Sequence, residues 1–107
     1  MTIDEAAVVL HLHIRVRDDH RQALMAYVRE AFPVFEAQGG CKGVLYQDAG
    51  DPERYDEVFY YASEESYQAG ERAIQEDPEQ VRLLERWRAL LAEPPVVKVF
   101  RRLPAGE

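Results

Sequence analysis

The stretch Val8-Val9-Leu10-His11-Leu12-His13-Ile14-Arg15-Val16-Arg17 decides the fold. Its even positions are all apolar, whereas its odd positions run Val9, His11, His13, Arg15, Arg17, which is the period of a β-strand with two unlike faces. One face belongs to a core. The other carries two imidazoles and two guanidiniums and faces either water or a wet pocket.

Working outward, Asp18 or Asp19 can cap a helix in which Leu24, Tyr27, Val28, Ala31 and Phe35 recur at three- and four-residue steps. Pro33 predicts a kink or a short second segment near its end. Gly39-Gly40 terminates it, because glycine takes the left-handed conformation that helix C-termini favour. Cys41 to Asp48 reads as a second strand and Tyr55 to Ala62 as a third, joined by the turn cluster Ala49-Gly50-Asp51-Pro52 into an antiparallel hairpin. Ser63 caps a short helix reaching about Gln75, with Glu64 and Glu65 at the positive end of its dipole. Asp77-Pro78-Glu79-Gln80 restarts the helical pattern, and Leu83, Leu84, Trp87, Leu90 and Leu91 follow on one face. Pro94-Pro95 stops it, and Val96 to Phe100 is the last strand.

The order is β-α-β-β-α-β with the second helix broken in two, an α+β, ferredoxin-like arrangement over a single domain, residues 1–107. Both crossovers lie on one face of a four-stranded antiparallel sheet and leave the other face uncovered. An apolar uncovered face predicts a homodimer that closes a dimeric α/β-barrel. Thirteen basic against twenty acidic side chains give a net charge of −7, which repels nucleic acid and acidic membrane surfaces. The single cysteine, Cys41, excludes an internal disulfide. No apolar run is long enough to span a membrane, and the first residues lack the basic start of a signal peptide, so the cytoplasm is the expected location.

Candidate chemistry gathers on two strands. His11 and His13 leave the same face about 7 Å apart and can act as general bases near neutrality, since an unperturbed imidazole has a pKa of about 6.5. They could also converge on a metal, but a third ligand from Glu57, Cys41 or a partner subunit is not fixed by the sequence, and no metal site is expected. Glu57, Phe59 and Tyr61 alternate along the third strand. Placed on the uncovered face with the histidines, they form an aromatic wall with an acid and bases at its edge, suited to a planar aromatic ligand. Arg15 is the candidate anion guide.

Two segments carry a family resemblance. Gln38-Gly39-Gly40-Cys41-Lys42-Gly43-Val44-Leu45-Tyr46, then a turn with Asp and Pro, then Phe59-Tyr60-Tyr61-Ala62-Ser63-Glu64-Glu65-Ser66-Tyr67-Gln68-Ala69, resemble the antibiotic biosynthesis monooxygenase family. The resemblance implies a small dimeric α/β-barrel that oxygenates an aromatic or quinone-type compound without a bound cofactor. In many members the third strand ends in tryptophan and the next helix carries a histidine aimed into the pocket; these positions fall on Tyr61 and Gly70. Glycine brings no proton-transfer group, so the base is expected in His11 or His13, with Glu57, Phe59, Tyr61 and Arg15 binding the substrate. The alternative is a non-catalytic dimer that binds a metabolite or serves a stress-related structural role.

Overall fold

A computed structural model describes residues 2–104. The elements are β1 (Val8–Arg15), α1 (Arg21–Glu36), β2 (Cys41–Gln47), β3 (Arg54–Tyr61), α2 (Glu64–Glu76), α3 (Pro78–Leu90) and β4 (Val96–Arg101). The strands form one antiparallel sheet in the order β2-β3-β1-β4. The ferredoxin-like order expected from the chain is therefore present, including the division of the second crossover into two helices. Asp77 makes that division: its carboxylate accepts from the backbone N–H of Glu79, and Pro78 opens α3. Ser63 caps α2 by accepting from the backbone N–H of Ser66.

Pro33 does not break α1, which runs through it as one helix. The carbonyl it deprives of a donor belongs to Arg29, four residues earlier, where the helix is exposed and water can serve the freed oxygen. Gly39 and Gly40 take φ of +82° and +66° and turn the chain into β2.

The even positions of β1 meet the helices. Val8, Leu10 and Ile14 are buried, and they join Leu24, Tyr27, Ala31, Phe32, Leu83 and Trp87 in the core. At Gly43 the helix and sheet approach so closely that a Cβ would stand 2.7 Å from the Phe32 ring and 2.9 Å from that of Phe59. Overpacking of this kind costs about 1–3 kcal/mol. Gly43→Ala is accordingly expected to lower unfolding stability by that amount in urea titrations, and an unchanged midpoint would show that the two rings are free to move.

The register corrects one expectation. Leu10 pairs with Phe59, Leu12 with Glu57 and Val8 with Tyr61, so Glu57, Phe59 and Tyr61 share the helix-covered face with the apolar side of β1. They do not share the open face with His11 and His13, whose partners are Val58 and Asp56. Directly paired residues of two strands project to the same side, and the pairing settles which alternate set of β3 goes inward.

Candidate functional site

Beneath the helices the covered face is not filled. A cavity of about 270 Å³ lies between sheet and helices, with Leu10, Leu12, Glu57, Phe59 and Tyr61 on its sheet side. Tyr27, Phe35, Gly70, Ile74, Leu84 and Trp87 line the helix side. Its walls are apolar and aromatic with a few polar groups, the usual constitution of a small-molecule site, and its volume falls just below the range of about 300–1,000 Å³ typical of such sites, a space for a small ligand.

Glu57 is the chemical centre of this space. It is only 2% exposed, and its Oε2 accepts a hydrogen bond from the indole Nε1–H of Trp87 on α3. Burial disfavours the carboxylate, and the neighbouring charge of Asp56 adds to this, so the carboxyl is pushed up to about 7 although the Trp87 hydrogen bond opposes the shift. A carboxyl poised near neutrality inside a cavity can take a proton from a bound acid and return it. Burial likewise raises the phenol of Tyr61, and it pushes the Cys41 thiol up to about 11. Cys41 is therefore a protonated wall residue, in keeping with the absence of a nucleophile among the sequence-based candidates.

Tyr61 and Gly70 stand together at the cavity wall. A Cβ at Gly70 would lie 3.2 Å from both Cε1 and the hydroxyl oxygen of Tyr61, so the missing side chain leaves room for the tyrosine ring. The ring also packs edge-on against Tyr67, with centroids 5.4 Å apart.

His11 and His13 lie on the opposite side of the sheet. His11 Nδ1 is 2.8 Å from Asp56 Oδ2, and His13 Nδ1 is 3.7 Å from Oδ1 of the same carboxylate. Arg15 is engaged elsewhere: its guanidinium meets Asp51 at 3.1 Å, Glu53 at 3.0 Å and Glu93 at 3.8 Å. Neither the histidines nor Arg15 line the cavity. Of the six residues singled out from the sequence, the structure thus brings Glu57, Phe59 and Tyr61 together and separates the other three from them.

The sequence places Trp87 on one helix face with Leu83, Leu84, Leu90 and Leu91, and that spacing does not reveal it as a partner of Glu57. One signal was available. A buried indole N–H needs an acceptor, and on the face of β3 carrying Tyr55, Phe59 and Tyr61 the acidic residue is Glu57.

No family model matches the chain, and no curated protein matches it. Solved structures do. A conserved protein from Methanosarcina mazei Go1 superposes with a TM-score of 0.79 at 16% identity, over 94% of this chain and 97% of that one. A Mycobacterium tuberculosis protein gives 0.73 at 21% identity, over 95% and 100%. A protein from Nitrosomonas europaea described as a "putative antibiotic biosynthesis monooxygenase" gives 0.73 at 18% identity, over 91% and 99%. At these identities the likeness is one of fold. The chain has the ferredoxin-like fold of structures described as antibiotic biosynthesis monooxygenases, over more than nine-tenths of each chain.

Proposed function

We propose that the protein is a cofactor-independent monooxygenase of small hydroxylated aromatic compounds, acting in the cavity between sheet and helices. One observation carries this reading: a buried carboxylate, anchored by Trp87, sits in the wall of an otherwise apolar, aromatic-lined cavity. The fold shared with structures described as monooxygenases supports it. The base expected at His11 or His13 is, in this reading, Glu57; Phe59 and Tyr61 keep the binding role given to them from the sequence.

The chemistry follows from the acidity of a phenol. Glu57 accepts the hydroxyl proton of a naphthol-like substrate, and the ring carbon para to the oxygen becomes electron-rich enough to reduce dioxygen directly. A C–O bond forms there, and the peroxide produced takes up a proton. The O–O bond then breaks as the ring hydrogen leaves, giving a quinone and one water. One oxygen atom ends in the product, the other in water, and dioxygen accepts the four electrons that the substrate loses. Apolar walls exclude bulk water, which would otherwise compete for the anion.

An oxygen electrode tests the reading. With 1-naphthol and catalase present or absent, the expected result is uptake of one dioxygen per quinone formed, the same in both. No uptake above the protein-free rate, or uptake that catalase halves because peroxide is released, contradicts it.

We further place the active form in the cytoplasm as a homodimer joined through the open face of the sheet. That face carries Val9, Val44, Val58, Tyr60, Val96 and Phe100 by register, and Val96 and Phe100 are 54% and 52% exposed. Apolar side chains grouped in this way favour cover by a second copy. Sedimentation should give twice the chain mass, and Phe100→Glu should return it to one; a single-chain mass for the unaltered protein contradicts the dimer. The described helices include none long and apolar enough to cross a membrane.

A further inference from the structure

His11, His13 and Asp56 form a group that the cavity chemistry does not use. His11 and His13 alternate along β1, and Asp56 stands opposite His13 in the register of β3. One donor atom from each residue lies within 4.8 Å of the other two. Donors about 2.0–2.2 Å from a tetrahedral zinc ion stand about 3.3–3.6 Å apart. A pair at the 4.8 Å limit therefore has to close by roughly 1.2–1.5 Å, a shift that rotation of the exposed His13 side chain can supply. Two of them are already drawn together, His11 Nδ1 and Asp56 Oδ2 being 2.8 Å apart.

A second observation points the same way. Asp56 Oδ1 is buried yet has no hydrogen-bond partner among the described residues, and His13 Nδ1, at 3.7 Å, is too far to serve it. Leaving a buried carboxylate oxygen without a donor is costly, and a cation between it and the two imidazoles would remove that cost. The surroundings hold the donors in place. The imidazole rings stack at 5.8 Å and 24°, and Phe100 packs edge-on against His11 at 5.2 Å. Arg15, next along the same face, is tied to Asp51, Glu53 and Glu93, not to Asp56. The nearest cation in register is Lys98, opposite His11 on β4 and exposed in the single chain.

We propose that His11, His13 and Asp56 bind a divalent transition metal on the open face of the sheet, across the sheet from the cavity. Two imidazoles and one carboxylate suit zinc or another borderline ion, and three protein ligands leave coordination positions open. Magnesium and calcium, which take oxygen ligands, are a poor match. All three ligands come from one chain, so a second copy covering the face is not needed to complete the set. None of the three ligands lines the cavity, so failure of this site would leave the monooxygenase reading standing.

Calorimetric titration of chelator-treated protein with zinc chloride is the test, with cobalt absorption spectra as a second readout. The expected result is one zinc per chain, with neither magnesium nor calcium displacing it. Loss of an outer-shell partner alone weakens metal sites by about 10–100-fold, so His13→Ala and Asp56→Asn should each weaken binding by at least about 100-fold. His13 is exposed and its replacement disturbs no core contact, which separates loss of a ligand from loss of the fold. His20→Ala, outside the group, should leave the affinity unchanged. No zinc bound by the unaltered protein, or zinc bound equally by His13→Ala and Asp56→Asn, overturns the proposal; so does binding that His20→Ala abolishes.

Discussion

Glu57→Gln is expected to lower naphthol-dependent oxygen uptake by at least about 100-fold, the contribution of a well-placed general base. Glutamine has nearly the same shape, and its amide oxygen still accepts from Trp87 Nε1, so the cavity and the core around it persist. What disappears is the group that can take the hydroxyl proton. The loss should fall on kcat and on kcat/KM together, because the interaction removed is made as the proton moves, not on binding alone. Substrate supplied already ionised, at a pH above its own pKa, should recover much of the lost rate. A loss that follows the double replacement His11→Ala with His13→Ala, while Glu57→Gln turns over normally, would put the base on the open face and contradict this account.

The second large effect is on stability. The Glu57 carboxyl titrates at about 7 in the folded protein against an ordinary value of 4.5, because burial penalises its charge. A raised folded pKa means that the native state binds this proton more tightly than the unfolded chain. Below pH 4.5 both states are protonated and Glu57 costs nothing; as pH rises from 4.5 to about 7, ionisation is resisted only in the folded state and stability falls. Above about 7 the loss is complete, and a difference of two to three pH units corresponds to about 3 kcal/mol. Glu57→Gln removes this cost. Urea denaturation, with chelator present, should show the variant gaining on the unaltered protein by about that amount between pH 4.5 and 8. Referring each pH to the variant cancels the titration of the surface carboxylates. A difference that stays flat with pH would mean that Glu57 is ionised throughout and water reaches it.

Much of this architecture could be read from the chain because local signals agreed with one another. The alternation from Val8 to Val16, the paired glycines after α1, the Ser63 and Asp77 caps and the Pro94-Pro95 stop each mark an element boundary by its own physics. The site was half legible. Period-two spacing correctly groups Glu57 with Phe59 and Tyr61, yet the intervening set, Asp56, Val58 and Tyr60, also has an acid, an aliphatic and an aromatic residue. Composition cannot choose between two such faces. The choice lies in the pairing of Leu12 with Glu57 and His13 with Asp56, a long-range property that periodicity within one strand does not contain. Tyr60, one residue from Phe59 and Tyr61, illustrates the same limit: it lies on the open face, where its hydroxyl is 3.2 Å from that of Tyr46. The link between Trp87 and Glu57 spans 30 residues and two elements, so only the folded chain displays it.

Trp87 also provides the most direct measurement, because it is the sole tryptophan of the chain and it lines the cavity in contact with Glu57. Anaerobic titration with 1-naphthol, exciting the indole selectively and correcting for absorption by the ligand, reports on occupancy of the cavity without turnover. The account predicts saturable quenching with one ligand per chain, weakened at least about tenfold by Gly70→Leu, whose side chain would press on Tyr61 and occupy the cavity. Linear, non-saturating quenching identical in the two proteins would mean that the ligand does not enter, and the claim that this cavity is the site of the chemistry would fall.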